Sequence, residues 1–387
     1  MDTQKLDQTY NANTYARFPV TIVKGKGSLV WDDTGKKYID LSTGIAVDIF
    51  GVADEEWMAA VTKQLGTLQH ISNLYYTEPC VKLAQMLCEK TGMKKVFFGN
   101  SGAEANECAI KAARKWSEEK KGKDYSTIIT LKNSFHGRTI TTLAATGQDV
   151  FHHDFTPLTE GFVYAEPNDL ADLEQLIKAN KCVAVMMEVV QGEGGVMPLD
   201  EAYVKGAAKL CEQYDLLLIC DEVQVGNGRS GKLYGYMHYG IQPDIVSTAK
   251  GLAGGLPLGA TLLGEKVQDV LSAGTHGSTF GGNPVCCAGA INVLSRLDEK
   301  MLEGVEERSA YIKQELAGAK GVLGVSGLGL MLGIQTEKNA SDIIAACREK
   351  GVLVIKAKDK LRLLPALNIP MEQLQKAVAV IKECCAE

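Results

Sequence analysis

The sequence predicts an α/β protein in which a large domain holds a mainly parallel sheet between layers of helices, with a smaller α/β domain following it. Three observations lead there. Short apolar runs, among them KKVFFG, STIITLK, CVAVMMEVV, DLLLICDE and DIVSTAK, alternate with longer stretches of 3.6-residue periodicity such as 103–121 and 201–214. Alternation of this kind sets strands parallel with helical crossovers between them, so that both faces of the sheet are covered. Near Pro284 the pattern changes to one long helical stretch, from Val285 to about Ala319, followed by short strands and helices in GVSGLGLMLGIQT, GVLVIKA and KLRLLPAL.

Taken in chain order, residues 1–50 are expected to pack beside the small domain, 51–284 to form the large ligand-binding domain, and 285–387 the small domain. In the large domain the ligand belongs at the carboxyl ends of the strands. KKVFFGN ends in a glycine-rich turn at Ser101, Gly102 and Ala103, and a helix starts at once. Its unpaired N–H groups and dipole suit a phosphate dianion, although Ser-Gly is also an ordinary N-cap turn. STIITLK leads into NSFHGRT, where Phe135 offers a flat face for a pyridine ring and Arg138 a fork for a carboxylate. A core aromatic and a surface ion pair are the plainer readings of those two, and His136 carries no assignment.

CVAVMMEVV delivers Glu188, Gln191 and Glu193 to the same edge, where a buried carboxylate needs a partner. The very apolar run LLLICDEVQ delivers Asp221 and Gln224, a placement that a helix N-cap explains poorly. GFVYAE and GATLLG read as the remaining strands. Lys250 then follows DIVSTA and precedes GLAGGLPLGA. A lysine in a glycine-lined pocket, with a carboxylate at the end of a buried strand, is the pair that holds pyridoxal phosphate: the amine forms the Schiff base and the carboxylate keeps the pyridinium proton.

Composition excludes several other classes. With 387 residues, 45% hydrophobic and 23% charged, the chain can bury a sizeable core. A net charge of −6 without any basic block argues against nucleic acid or an anionic membrane as the main partner. The first residues lack the apolar core of a signal peptide and no run reaches the roughly 18 apolar residues of a bilayer span, so a cytoplasmic protein is expected. The eleven cysteines include no CxxC pair and read as free thiols, with no metal site.

SGAEANE, FHGRT, QGEGGVMP, LLLICDEVQVGNGRSG, STAKGLAGGLPLGA and HGSTFGGNP together resemble the class III, fold-type-I aminotransferases, in order from about Asn13 to Asn368. Within that family the likeness is greatest to the members acting on acetylornithine. The resemblance implies pyridoxal phosphate as cofactor, with Lys250 as Schiff-base lysine and proton shuttle and Asp221 on the ring nitrogen. It puts Gln224 at the ring hydroxyl, Glu222 and Val223 beside the cofactor, Phe135 on the ring, and Ser101, Gly102 and Ala103 at the phosphate. Thr279 would reach the phosphate of a neighbouring subunit, with Ser278 near the substrate, which requires a homodimer with shared sites.

The same resemblance makes Arg138 a substrate-carboxylate arginine and Arg362 the grip on the α-carboxylate of glutamate and 2-oxoglutarate. Glu193 would neutralise Arg362 when an ω-amine is the donor, and Tyr15 is either substrate-facing or a packing residue. Gly44 stands where ornithine-specific relatives carry a tyrosine, leaving room for an acyl group. Two departures stand out: Gly51, Val52, Ala53, Asp54 and Glu55 replace a GHxHP pattern, and Glu188, Val189, Val190 and Gln191 replace EPxQ. The expected reaction is transamination between acetylornithine and 2-oxoglutarate in arginine biosynthesis. Another ω-aminotransferase, acting on succinylornithine, ornithine, 4-aminobutyrate or an acyl-lysine, is the alternative. A cofactor-free lysine aldolase has no use for Asp221 and the phosphate turn.

Overall fold

The computed structural model describes residues 2–387. Its central sheet has seven strands in the spatial order Lys95–Gly99, Gly259–Leu263, Ile245–Thr248, Leu217–Asp221, Cys182–Met187, Thr127–Leu131 and Phe162–Ala165. Only Gly259–Leu263 runs against its neighbours; every other direct pairing in this sheet is parallel. The sheet is therefore mainly parallel, as the alternating pattern predicts, with one reversed strand that the pattern does not reveal.

Alternation of side chains across the pleat gives the sheet two cores. Leu218 and Cys220 join Ile129, Leu131, Val185, Met187, Leu173 and Val204 on one face. Leu217 and Ile219 join Ala109, Ala113, Trp116, Ile128, Ala184 and Met186 on the other. Both faces being covered by helices explains why these strands read as continuous apolar runs. Because the parallel strands end on one edge, Gly99, Leu131, Met187, Asp221 and Thr248 deliver the polar segments that follow them to a common rim.

The C-terminal region differs from expectation at its first helix. Instead of one helix from 285 to 319 there are two, Pro284–Arg296 and Glu299–Leu316. The break falls at Asp298, which leaves the helical conformation and accepts a hydrogen bond from the Met301 N–H as the N-cap of the second helix. Beyond it, Val322–Leu328, Met331–Thr336, Lys360–Leu363 and Ile355–Ala357 form an antiparallel sheet. The N-terminal strands Ile22–Lys26, Leu29–Asp32 and Lys37–Asp40 form a meander whose last strand pairs with Val352–Leu353.

The unusual stretch at 51–55 has a local structural role. Asp54 accepts from the Trp57 N–H as N-cap of helix Glu55–Leu65, and both its oxygens meet the Arg296 guanidinium, at 2.5 and 3.0 Å. All eleven cysteines are free. Among the described residues no helix is long and apolar enough to cross a membrane.

Candidate active site

Asp221 closes its strand in a buried position, 3% exposed. Its Oδ2 accepts from Asn106 Nδ2 at 2.8 Å and lies 2.8 Å from His136 Nδ1, while its Oδ1 accepts from the Val223 N–H at 3.0 Å. A carboxylate only accepts, so the imidazole proton facing it sits on Nδ1. His136 is fixed in turn by its own N–H, which donates to Thr146 Oγ1 at 2.9 Å. The sequence offered no signal that separated His136 from a structural histidine, and the structure makes it a direct partner of the aspartate.

Glu188 ties two strand ends together: it accepts from the Phe135 N–H at 2.9 Å and the Gly192 N–H at 3.3 Å. Burial pushes its pKa up to about 7, with His136 opposing and Asp221 adding to the shift. Phe135 is thereby held by its backbone, with its ring edge-on to Phe151. Arg138 is exposed and its guanidinium lies 4.2 Å from the Phe151 ring centre and 5.5 Å from that of Phe135.

Lys250 follows Ile245–Thr248 in a left-handed conformation, φ 45°, and opens a helical turn through Ala253. Asn227, from the loop after Asp221, positions the chain just before it by donating to Thr248 Oγ1 and Ala249 O, both at 3.0 Å. Burial lowers the Lys250 pKa; Glu193 works against that shift and Arg362 with it. A lowered lysine pKa increases the neutral amine fraction, the form that attacks a carbonyl and accepts a proton.

Arg362 and Glu193 meet beside this lysine. Arg362 Nη1 donates to Glu193 Oε1 at 2.5 Å and to Gln224 Oε1 at 3.1 Å. Arg362 is 3% exposed and its Nε has no partner among the described residues. Desolvation raises the Glu193 pKa, but the adjacent guanidinium outweighs it and holds the carboxyl below its ordinary value. Gln224 therefore serves Arg362, and its amide lies so near Gly192 that a β-carbon there would fall 2.5 Å from Nε2.

The turn after Lys95–Gly99 is built as a capped helix start. Glu104 N–H donates to Ser101 Oγ at 3.2 Å, and the Glu104 carboxylate accepts from the Asn100 N–H at 2.9 Å. Gly102 packs on Val223, whose Cγ1 would stand 2.7 Å from any β-carbon at 102, so the turn at 101–103 and the loop after Asp221 meet at a distance that only glycine permits. Asn100 also donates to Ser278 Oγ at 3.1 Å, which brings the HGSTFGG loop to the turn.

Two expected positions, Glu222 and Tyr15, fall elsewhere, and Thr279, expected at a neighbouring subunit's site, stands apart from the Lys250 cluster of its own chain. Glu222 turns away from Asp221, as successive residues of extended chain do, and accepts from the N–H groups of Gly235 and Tyr236 at 2.7 and 2.8 Å. Thr279 is exposed and lines a cavity with His70, Asn73 and Tyr75. Tyr15 is 70% exposed and stacks with Arg17.

A lysine of lowered basicity, a buried aspartate held by three donors, and a capped helix start, all at one rim of a mainly parallel sheet, are the parts that a pyridoxal phosphate site of aminotransferase type requires. The chain belongs to the class III aminotransferases, whose family model, "Aminotransferase class-III", matches residues 10–385. It is 50% identical to the acetylornithine aminotransferase of Haemophilus ducreyi, over 99% of this chain and 98% of that one. Among solved structures, an N-acetylornithine aminotransferase from Stenotrophomonas maltophilia superposes with a TM-score of 0.86 at 35% identity, covering 99% and 98% of the two chains. The ornithine aminotransferase of Toxoplasma gondii, described with PLP at its active site, superposes with a TM-score of 0.94 at 33% identity, covering 99% and 93%.

The residues present fit that cofactor. His136 Nε2 and Asn106 Oδ1 are buried without partners among the described residues, beside the carboxylate expected to meet the ring nitrogen. Lys250, Asp221, Phe135, Gly102 and Ala103 would hold amine-reactive carbon, ring nitrogen, ring face and phosphate respectively.

Proposed function

We propose that this protein catalyses reversible transamination between N2-acetyl-L-ornithine and 2-oxoglutarate, giving N-acetyl-L-glutamate 5-semialdehyde and L-glutamate. When bound, pyridoxal phosphate supplies an electron sink that stabilises the carbanion formed when a substrate carbon loses its proton. Lys250 is the group that accepts this proton and returns it at the neighbouring carbon, which its burial favours by keeping the amine available as a base. Asp221, oriented by His136 and Asn106, keeps a proton on the ring nitrogen. Glu188, by holding the Phe135 backbone, fixes the residue that would stack on the ring.

The observation that carries the reading is the Arg362–Glu193 pair at 2.5 Å beside Lys250. One site has to take glutamate, which presents an α-carboxylate next to the reacting carbon, and an ω-amine, which presents none. An arginine that a mobile carboxylate can neutralise accommodates both. Gly44 leaves space for the acetyl group, and Arg138, exposed at the entrance, is suited to the distal carboxylate. The names of the relatives support the same substrate.

The active form is proposed to be a homodimer. Support comes from the exposure of Thr279 in a cavity of its own and from a cluster of bare apolar side chains around it, Tyr75 at 65%, Tyr76 at 99% and Phe280 at 60%. Residues 1–50 and 285–387 are taken as one unit against the large domain, supported by the pairing of Lys37–Asp40 with Val352–Leu353. The test is a panel of acetylornithine, succinylornithine, ornithine, 4-aminobutyrate and acyl-lysine with 2-oxoglutarate. Acetylornithine should give the highest kcat/KM, and a higher value for any other donor overturns the assignment. Light scattering on the same sample should give twice the chain mass.

A further inference from the structure

The segment from Leu41 to Ile49 is wedged between the two walls of the site. On one wall, Leu364 N–H donates to Leu41 O at 2.7 Å, Thr43 Oγ1 to Leu364 O at 2.6 Å, and Leu367 N–H to Ile49 O at 2.9 Å, just beyond Arg362. On the other, Ile49 and the Ala46 carbonyl press on Gly251, next to Lys250. Between these anchors Thr43, Gly44, Ile45 and Ala46 have φ of 45, 62, 66 and 64°, one turn of left-handed helix. Such a turn costs about 1–2 kcal/mol for each residue other than glycine and persists only where its surroundings over-determine it, a situation that collects at ligand-binding positions.

The crest of this turn, Gly44 and Ile45, is exposed and forms part of the rim. A β-carbon at Gly44 would meet only Asp48 Oδ2 at 3.7 Å and Val47 Cβ at 3.8 Å, so the space that this glycine leaves is bounded by a carboxylate. On its other side Asp48 Oδ1 faces Gly255, in the turn that follows Lys250. No hydrogen-bond donor or cation among the described residues offsets this carboxylate. Burial, with Asp40 nearby, pushes its pKa up to about 6, which leaves it anionic in mildly alkaline solution.

We propose that Asp48 is a specificity-determining residue that reads the charge on the group attached to the substrate's far nitrogen, favouring a cationic or neutral group over an acyl group that carries a carboxylate. This rests on the reading of the site as one for ω-amine donors whose α-nitrogen lies toward Gly44. A free α-ammonium is attracted by Asp48, the N–H of an acetamide can donate to it, and the terminal carboxylate of a succinyl group is repelled.

The test is a charge series on the holoenzyme and its Asp48→Asn variant: ornithine, acetylornithine and succinylornithine, each with 2-oxoglutarate. Asp48→Asn should lower kcat/KM for ornithine by about three- to tenfold and raise it for succinylornithine by a similar factor, the scale of one charge interaction at a wet rim. Acetylornithine should fall between them, Asp48→Glu should restore the wild-type order, and high salt should shrink the spread. One common factor for all three donors, or none, overturns the proposal; so does an equal loss in the glutamate half reaction, which marks a packing role. A wild-type enzyme that ignores acetylornithine overturns the proposed function instead. Asp48 is then judged on the inhibition constants of the three compounds against glutamate, where absence of the charge trend refutes its role.

Discussion

His136 Nδ1 and Asp221 Oδ2 lie 2.8 Å apart in a buried pair, and Asn106 reaches the same oxygen from the helix Gly102–Lys121. Two side-chain donors from different elements fix the plane of the carboxylate. An aspartate held this way is ready to pair with a protonated ring nitrogen without first reorganising, which is where electrostatic catalysis gains most.

Replacing His136 by phenylalanine should therefore slow the glutamate half reaction while the cofactor stays bound. One hydrogen bond to a charged group is worth about 1.5–3 kcal/mol, which corresponds to a rate loss of about ten- to a hundredfold. Stopped-flow absorbance measures it, and a rate within twofold of wild type would show that Asn106 alone suffices to hold Asp221.

Lys250→Ala should fold normally, retain pyridoxal phosphate noncovalently and show no turnover above background, because no other base in the cluster combines lowered pKa with that position. Circular dichroism, cofactor absorbance and a coupled assay together check the three parts. Turnover at a measurable fraction of wild type would remove Lys250 from the proton path.

Glu193→Ala should free Arg362 for carboxylates. Glutamate is then processed as well as or better than by wild type, while the acetylornithine half reaction slows by about tenfold or more, the effect of leaving a buried guanidinium without its counter-charge. Single-turnover rates with each donor separate the two halves. Equal losses for both donors would mean that the pair is structural.

Glu222 makes a prediction about pH. Burial raises its pKa from the ordinary 4.5 to about 8, so the native state keeps a proton that the unfolded chain releases. Its stabilising contribution is whole below about 4.5 and is lost as pH rises toward about 8. Melting temperature should accordingly decline across that window in the wild type and decline less in Glu222→Gln, which stays neutral and whose single amide oxygen still accepts from one of the Gly235 and Tyr236 N–H groups. Parallel curves for the two proteins would place the titration on another group.

Much of this was legible along the chain because it is written in short-range pattern. Apolar runs separated by helical periodicity identify a mainly parallel sheet, and the polar residues that end those runs, Asp221 and Glu193 among them, fall on the ligand edge because parallel strands all finish there. Lys250 stands out for the same reason, two residues past the end of a buried strand.

Other features needed the fold, since they depend on which segments become neighbours. His136 meets Asp221 only because Thr127–Leu131 and Leu217–Asp221 flank the same strand, Cys182–Met187, and their ends converge. The reversal of Gly259–Leu263 leaves no trace in a run of buried residues, because a strand covered on both faces looks alike in either direction. The stop at Asp298 hides inside a continuous helical periodicity until its side chain is seen capping the next helix. Glu222 sits one residue from Asp221 in the chain yet serves a different loop, because the pleat turns adjacent side chains to opposite sides, and packing alone chooses which side is the active site.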